Sequence, residues 1–540
     1  MKLKKISFVV LSLALVVSAL TGCNRNKGNE VESETVTGTT EPTTAGEAEK
    51  EEETVTINLM ANLSPAQNSH IGQETIKKLE EKFNIKLNFD IPPSANYAER
   101  VQIAVSSGEL PDAILFDDTG DTLLKSGALN GTFIDISEYL QDAPNIIQHT
   151  LPESLNAVRY MNDDKIFGIT RSTLVRADGL AFRSDWLEKL GITGVEEGKP
   201  ITLDKFTEIM QKFSENDPDG NGKNDTYGMK AFVGPDGELV PLSIASNIDV
   251  IGGAFGLCGW QKAVGEDYTY MDPRYSKKSD NFKKLMEFLN EMVENKWMDP
   301  DWPTMKSAQA NDNFNKGKYG AMVAFPTNVD FSVQKLQEVN PEANLIWIPG
   351  IINPEAGKVT GTTFATGAWG CWAITKDCKN PEKLVQLFDY MLSDEFYYDD
   401  LMDGGEGVGY NTVDGKKVPT EDYKSTDSVG WNRSMVRRAS DTAVYLKLTY
   451  DDATNQKYNS QIDTSVSNAV NSLDGGYIPD IATDAKFIDY KTKMNTTITK
   501  IILGELPSSA YDEILEGWYE AGGEEYIKDM NTRITAMSGK

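Results

Sequence analysis

The sequence is poor in basic residues, histidine and cysteine, and each shortage argues against a class of function. Acidic residues outnumber basic ones by 82 to 53, which gives a formal net charge of −29 at pH 7. The chain therefore lacks the basic surface that nucleic-acid binding needs. Two histidines argue against a histidine-rich zinc site or a Ser-His-Asp triad. The cysteines are Cys23, Cys258, Cys371 and Cys378, and no two of them form a CxxC pair.

The N-terminus has the order of parts found in an exported lipoprotein. Three lysines at positions 2, 4 and 5 precede an apolar run from residue 6 to 20, which is short for a membrane span. The run ends Leu20-Thr21-Gly22-Cys23, which resembles a bacterial lipobox. We expect a signal peptide over 1–22 and lipidation of Cys23, although an ordinary signal peptide with a chance cysteine is the alternative.

The residues after Cys23 predict a tether outside a cell membrane. Residues 23–53 contain almost no large apolar side chain, so they cannot bury enough surface to fold. We expect the chain to lie at the extracellular face of the cell membrane of a Gram-positive bacterium. There a flexible tether would join the lipid anchor to the folded domain. If Cys23 is modified, three cysteines remain, which argues against a full disulfide framework.

The folded part begins with a pattern typical of an α/β protein. At 540 residues the chain exceeds one ordinary core, so two or more lobes are expected. Strand patterns at 54–59, 85–89 and 113–116 alternate with helical patterns at 72–83 and 97–107. Ligands in parallel α/β sheets bind beyond the carboxyl ends of strands. This places Asn62, Phe116, Asp117 and Asp118 at a candidate binding site, with turns or helix caps as the alternative roles.

Residues 217–225 carry the spacing of a calcium loop. Oxygen-bearing side chains recur at alternate positions, and glycine occupies the sixth position, where a sharp turn is needed. The predicted ligands of a structural calcium ion are Asp217, Asp219, Asn221, the backbone carbonyl of Lys223, and Asp225. Gly228 stands where an EF-hand has a bidentate glutamate, so the loop is not a complete EF-hand. A solvated turn rich in Asx and glycine is the alternative.

The order of several short motifs resembles that of extracellular solute-binding proteins of family 1, the sugar ABC-transporter type. These motifs are the lipobox, the unit Phe182-Arg183-Ser184-Asp185-Trp186-Leu187-Glu188-Lys189-Leu190-Gly191, the calcium loop, Phe314-Asn315-Lys316-Gly317-Lys318, and Trp372-Ala373-Ile374-Thr375. The turn Gly405-Glu406-Gly407-Val408-Gly409-Tyr410 resembles the subgroup of LplA-like lipoproteins and alginate-binding proteins. Thr226 departs from the alginate-binding relatives, which have a further acidic ligand there.

The resemblance implies a two-lobed, hinged fold of the periplasmic-binding-protein type II class. We expect residues 54–175 and 320–375 in the N-terminal lobe, and 176–319 and 376–540 in the C-terminal lobe. It also implies that an oligosaccharide binds between the lobes without being cleaved, and that the receptor passes it to the transmembrane subunits of an ABC importer. Relatives of this type usually act as monomers.

Sugar recognition requires aromatic faces and planar polar groups, and several residues in irregular segments meet that need. Trp260 and Trp369 are candidate stacking residues, with burial in the core as the alternative. Arg171 and Arg176 are candidates for an acidic sugar, with surface ion pairing as the alternative. Glu406 and Tyr410 lie in the glycine-rich turn. Asn328 stands where maltodextrin-binding relatives place an aromatic residue.

Two other classes of function fit part of the sequence. A secreted lyase or glycosidase would also be large, acidic and rich in aromatic residues, but 82 carboxylates make any nominated acid pair uninformative. A surface peptide receptor would share the tether and the lobes but would not depend on sugar. Turnover of a bound glycan distinguishes the enzyme from the receptor, and sugar dependence distinguishes the two receptors.

Overall fold

A computed structural model describes residues 54–160, 165–173, 178–234, 239–240, 250–361, 367–425, 429–439 and 441–538. The predicted signal peptide, Cys23, the tether and Arg176 lie outside these described residues. Among the helices in the described ranges, none combines the length and the apolar character needed to cross a bilayer.

The strands, in chain order, are β1 Val55–Met60, β2 Ile85–Asp90, β3 Ala113–Phe116, β4 Ile169–Ser172, β5 Gly179–Arg183, β6 Tyr227–Met229, β7 Phe232–Val233, β8 Leu239–Val240, β9 Gln261–Lys262, β10 Tyr270–Met271, β11 Tyr319–Ala324, β12 Leu345–Ile348, β13 Ile352–Asn353, β14 Lys358–Val359, β15 Ala368–Ile374, β16 Tyr410–Val413 and β17 Lys416–Pro419.

The α-helices, in chain order, are α1 His70–Phe83, α2 Tyr97–Ser107, α3 Thr122–Asn130, α4 Pro144–His149, α5 Pro152–Asn156, α6 Ser184–Lys189, α7 Leu203–Glu215, α8 Asn281–Glu294, α9 Ser307–Asn315, α10 Asn328–Gln337, α11 Pro381–Met391, α12 Glu421–Lys424, α13 Asn432–Met435, α14 Asp452–Asn468, α15 Ala485–Ile502, α16 Ala510–Trp518 and α17 Glu524–Ser538.

The first sheet contains the predicted parallel β-α-β-α-β unit. Its strand order is β2-β1-β3-β15-β4, and β1 runs parallel to both β2 and β3. β15 runs antiparallel to β3 and to β4, so β4 has the same direction as β3. The carboxyl ends of β1, β3 and β4 therefore lie at one edge of the sheet.

Side-chain caps start the helices that connect these strands. The Ser69 hydroxyl accepts a hydrogen bond from the Gly72 amide at the start of α1. The Asp121 carboxylate accepts from the amides of Leu123 and Leu124 at the start of α3. These caps satisfy amides that have no partner within the helix, and α3 thereby begins immediately beyond the end of β3.

The second sheet has the order β12-β5-β11-β6, with β5 antiparallel to its two neighbours and β11 parallel to β6. Each sheet has a hydrophobic core of its own. The first core includes Leu59, Leu115, Trp372, Phe388 and Trp431. The second core includes Phe182, Phe213, Leu285, Trp518 and Met530. The two sheets, each with its own core, define two lobes.

The strand pairing and the packing of the first core each correct one of the predicted lobe boundaries. The prediction assigns 320–375 to the first lobe, but β11 and β12 pair with β5 in the second sheet. It assigns 376–540 to the second lobe, but α11 and the segment around Trp431 pack in the first core. The sequence of a buried strand specifies a buried, pleated surface, and long-range packing decides which sheet receives it.

The hinge consists of the connections β4–β5, β14–β15 and α13–α14, because the two elements of each pair belong to different lobes. Thr173 joins the three connections. Its amide donates to the Gly367 carbonyl at 2.9 Å, and its hydroxyl lies 2.8 Å from the Tyr445 hydroxyl. These bonds link described residues of all three connections.

Candidate ligand-binding cleft

Three polar residues joined by hydrogen bonds lie at the edge of the first sheet where β1, β3 and β4 end. We call these residues, Asn62, Asp117 and Arg171, the polar wall. Asn62 follows β1, Asp117 follows β3, and Arg171 lies on β4. The Asn62 side-chain amide donates to Asp117 Oδ2 at 2.7 Å, and Arg171 Nη2 donates to Asp117 Oδ1 at 3.4 Å. The Asp117 side chain is 46% exposed, so its oxygens can accept hydrogen bonds from a ligand. The structure thus brings together three of the predicted site residues.

Trp369 stands beside this wall and is 42% exposed. It lies on β15, where the register with β4 shifts between Ala368 and Cys371, and such a shift turns a side chain out of the regular pleat. The guanidinium carbons of Arg171 and Arg437 lie 4.4 and 4.3 Å from the centroid of its ring. These cation–π contacts fix the orientation of the indole.

Arg171 is a buried charge with few hydrogen-bond partners. Its side chain is 1% exposed, and burial lowers its pKa to about 10, against the opposing effect of Asp117. Arg171 is therefore charged at neutral pH. Its Nη1 donates to the Ser434 carbonyl at 3.2 Å, while its Nε has no hydrogen-bond partner among the described residues. The wall therefore presents positive charge behind the exposed tryptophan.

The loop after β3 faces the second lobe across a cavity of about 280 Å³. Asp118 lines the cavity from the first lobe and Trp260 from the second, so two predicted residues from separate lobes meet at one space. Asp118 also stabilises a turn, which is the alternative role that the sequence allowed for it. Its Oδ1 accepts a hydrogen bond from the Gly120 amide at 2.8 Å. Trp260 is 3% exposed and packs in the second core. The polar wall does not line this cavity but adjoins it along the chain, through Asp117 and Asp118; we call the two together the cleft.

The lobes touch directly at the rim of the cavity through Lys125. This lysine lies on α3 of the first lobe, and its side chain has no exposed surface. Its ammonium donates to the Ile478 carbonyl at 2.5 Å and lies 3.0 Å from Asp480 Oδ1, both in the second lobe. A buried ammonium needs such acceptors, so this contact holds the lobes together.

Three predicted site residues have other positions. Phe116 is a core residue, and its ring packs edge-to-face on Phe133 with centroids 5.4 Å apart. Tyr410 is buried at the base of the β16–β17 hairpin, with the Lys417 ammonium 4.5 Å from its ring centroid. Burial and the neighbouring Asp399 carboxylate raise the pKa of Tyr410 to about 12. Glu406 is exposed in the turn that precedes this hairpin.

The turn of Glu406 and Tyr410 has a structural role in the first lobe. A Cβ on Gly404 would lie 2.7 Å from the Ile71 side chain on α1, and a Cβ on Gly409 would lie 1.9 Å from the Asp403 carbonyl. Glycine is therefore required where this turn packs closely. Asn328, the remaining predicted residue, is exposed at the first position of α10 in the second lobe.

The sequence reading missed the cavity residues of the C-terminal region. Asp474, Lys491, Trp518 and Tyr526 all line the cavity, together with Tyr275 from before α8. They are spread over loops and three helices with no common spacing, so no local pattern indicates that they meet.

In the loop 217–225, predicted calcium ligands lie around the side chain of Asn221. The Asn221 side-chain amide donates to Asp219 Oδ2 at 2.8 Å and to Asp225 Oδ1 at 2.9 Å. The two oxygens of Asp217 accept from the amides of Asn221 and Gly222, each at 2.9 Å. Within the described residues, no three His, Cys, Asp or Glu side chains are arranged as a metal site.

The donor set of this loop nevertheless suits a hard cation. Carboxylate and amide oxygens are the ligands of calcium, and turning the Asn221 amide by half a turn would present its oxygen to the same neighbours. Asp217, Gly220 and Gly222 adopt positive φ angles, which give the sharp turn of a cation-binding loop. Lys223 donates its amide to Asn221 Oδ1 at 2.8 Å.

Two α/β lobes, a hinge of several connections and a cleft at the sheet edges define a two-lobed binding protein. Solved structures share this fold over 90% of the chain. They include the alginate-binding protein AlgQ2 without calcium ion, with a TM-score of 0.64, 18% identity and 98% of that chain covered. Another is the ABC-transporter substrate-binding protein FusA of S. pneumoniae in complex with kestose, with a TM-score of 0.63, 18% identity and 99% covered.

The family is established by a second comparison. The model of the bacterial extracellular solute-binding protein family matches residues 68–397, and the chain belongs to this family. The resemblance inferred from the motifs is confirmed. Lipoprotein LipO of Bacillus subtilis is 27% identical over 496 residues, covering 88% of this chain and 91% of that protein. The polygalacturonan/rhamnogalacturonan-binding protein YtcQ of B. subtilis is 24% identical over 470 residues, covering 84% and 86%.

Proposed function

We propose that the chain captures an oligosaccharide in the cleft and delivers it to an ABC importer. The observation that carries this proposal is the exposed Trp369 beside the hydrogen-bonded wall of Asn62, Asp117 and Arg171. A sugar presents apolar C–H faces and a rim of hydroxyls, which an aromatic ring and planar polar groups match. A saccharide is also the ligand class that the names of YtcQ and FusA state for those proteins.

Capture follows from the arrangement of the lobes. A ligand that touches the polar wall and the second lobe at once binds the closed arrangement better than the open one, so it shifts the hinge toward closure. The direct contact that Lys125 makes between the lobes would add to the stability of the closed arrangement. The closed receptor would then dock on the transmembrane subunits of the importer as a monomer.

The N-terminus supplies the proposed location. Diacylation of Cys23 would anchor the chain to the outer face of the cell membrane, and residues 24–53 would let the lobes reach both free saccharide and the importer. The relative LipO is named a lipoprotein, which supports the same arrangement for this chain.

A screen for thermal stabilisation tests the proposed function. The purified full chain is heated with kestose, mannopentaose, cellotriose, trigalacturonate or an alginate trimer. A ligand that binds only the folded state must raise the melting temperature, so we expect at least one saccharide to do so. Chromatography should then recover that saccharide intact. Cleavage products would identify an enzyme, and a flat screen would contradict saccharide capture.

We also propose that the loop 217–225 binds a structural calcium ion. Removing calcium with EDTA is then expected to lower the melting temperature, because calcium at 100 times its Kd stabilises the folded state by about 2.7 kcal/mol. Asp217→Ala should abolish the difference between calcium and EDTA, while Asp312→Ala, at an exposed position on α9, should keep it. An EDTA-insensitive wild type would show that the loop is a metal-free turn.

A further inference from the structure

The exposed indole of Trp369 lies in the irregular part of β15, where the sheet does not set its direction. The register with β4 passes from Ala368 directly to Cys371, and the register with β3 begins at Cys371. Trp369 is therefore outside the paired part of both ladders. A side chain in such a bulge leaves the regular alternation of the pleat, so contacts with other side chains must set the orientation of its ring.

The guanidinium of Arg437 supplies one such contact from a distant part of the sequence. Its central carbon lies 4.3 Å from the centroid of the Trp369 ring, well within the distance of about 6 Å at which a cation attracts an aromatic face. The Nε of Arg437 donates to the Arg433 carbonyl at 2.8 Å, and this bond holds the guanidinium in place. Arg171 also contacts the ring, but it is part of the polar wall as well.

The backbone on both sides of Arg437 is fixed in the first lobe. Met435 packs in the first core, and its carbonyl accepts a hydrogen bond from Trp372 Nε1 at 2.8 Å. The guanidinium of Arg438 donates to the Leu392 carbonyl through Nε at 2.9 Å and through Nη2 at 2.6 Å. Arg437 therefore ties the exposed indole to a firmly packed segment of the first lobe.

We propose that Arg437 is a positioning residue for saccharide binding and that it acts through Trp369. This inference rests on the proposed function and adds to it a residue that is not part of the polar wall. A ring that is held in one orientation before the ligand arrives need not be ordered during binding. Without the Arg437 contact the indole stays exposed but is free to turn, so the saccharide binds more weakly although the polar wall is intact.

A double-mutant cycle tests whether Arg437 acts through the indole. The full chain is titrated by calorimetry with the saccharide that stabilises it most in the thermal screen. Arg437→Met keeps the aliphatic stem and should weaken binding about fivefold, which corresponds to ordering one side chain. In a chain that already carries Trp369→Leu, the same substitution should change the affinity by less than about twofold. Arg100→Met, at an exposed arginine of the first lobe that pairs with Asp90, should leave binding unchanged.

The orientation of the indole is also measured without saccharide. The difference between the near-ultraviolet circular dichroism spectra of wild type and Trp369→Leu gives the signal of Trp369, which depends on fixed packing around the ring. The same difference between Arg437→Met and the double variant should fall to less than about half, with an unchanged far-ultraviolet spectrum. A role of Arg437 in folding alone would not remove this signal.

The outcomes separate this inference from the proposed function. Wild-type affinity in Arg437→Met, or an equal loss with and without Trp369→Leu, would overturn the inference while saccharide binding stands. If Trp369→Leu binds too weakly to titrate, the dichroism decides. A Trp369 signal that survives Arg437→Met then overturns the inference, and loss of that signal supports it. A wild type that binds no saccharide contradicts the proposed function itself, and the inference with it.

Discussion

Replacing Gly370 with alanine is expected to destabilise the first lobe by about 3 kcal/mol or more and to abolish saccharide binding. Gly370 has a φ of +80°, where any Cβ is strained. A Cβ there would lie 2.0 Å from the Phe116 carbonyl oxygen and 3.0 Å from the Asp117 backbone. The substitution must push β15 away from β3, and this displaces both Asp117 of the polar wall and Trp369 beside it.

Gly407 provides the matched control for this substitution. Its φ is +81°, but a Cβ there meets no atom within 4 Å. Gly407→Ala should therefore cost only the conformational strain of about 1 to 2 kcal/mol and should keep binding. Urea unfolding and saccharide titration of both variants measure the difference. Equal destabilisation of the two would show that the contact of β15 with β3 is not tight.

Replacing Lys125 with methionine is expected to weaken saccharide binding about tenfold or more while leaving each lobe folded. The substitution keeps the buried aliphatic stem and removes the ammonium that donates to the Ile478 carbonyl. Hydrogen bonds of charged groups contribute about 1.5 to 3 kcal/mol. Since the Lys125 contact joins the two lobes, its loss reduces the closed population, and the apparent affinity falls by the same fraction.

Small-angle scattering of the saccharide-free chain reads out this effect directly. The radius of gyration should be larger for Lys125→Met than for wild type, and Lys125→Arg should restore part of the compaction. Asp480→Asn should have little effect, because the Asp480 side chain is 79% exposed and exposed ion pairs contribute about 0 to 1 kcal/mol. An unchanged radius together with unchanged affinity would show that Lys125 does not control closure.

Local patterns predicted the elements of the first sheet well. The helix expected at 97–107 and the strand expected at 113–116 have the predicted bounds. These elements have strong periodicity or turn chemistry of their own, and neither depends on distant residues.

Lobe membership could not be predicted in the same way. β11 and β12 are short buried strands whose sequences would fit either sheet, and only their pairing with β5 decides the question. α11 has an apolar face like that of any surface helix, so its place in the first core follows from the antiparallel insertion of β15 between β3 and β4.

The sequence could place candidate residues together where strand ends define an edge. Asn62 and Asp117 were expected to be neighbours because parallel strands end at one edge, and the structure joins them by a hydrogen bond of 2.7 Å. Phe116 lies in the core instead of at the sheet edge, because its side chain faces the buried side of the strand and packs on Phe133. Asp474 had no sequence signal, since it lines a cavity that residues from both lobes enclose.

Calorimetric titration of the best saccharide from the thermal screen tests the central claim most directly. Wild type and Asp117→Asn are compared with the control Asp267→Asn, at an exposed residue of the second lobe that pairs with Lys278, and the saccharide is chromatographed afterwards. The proposed capture predicts one site per chain, intact saccharide, at least tenfold weaker binding for Asp117→Asn and unchanged binding for Asp267→Asn. Wild-type affinity in Asp117→Asn, or cleavage of the saccharide, would contradict capture in the cleft by a non-catalytic receptor.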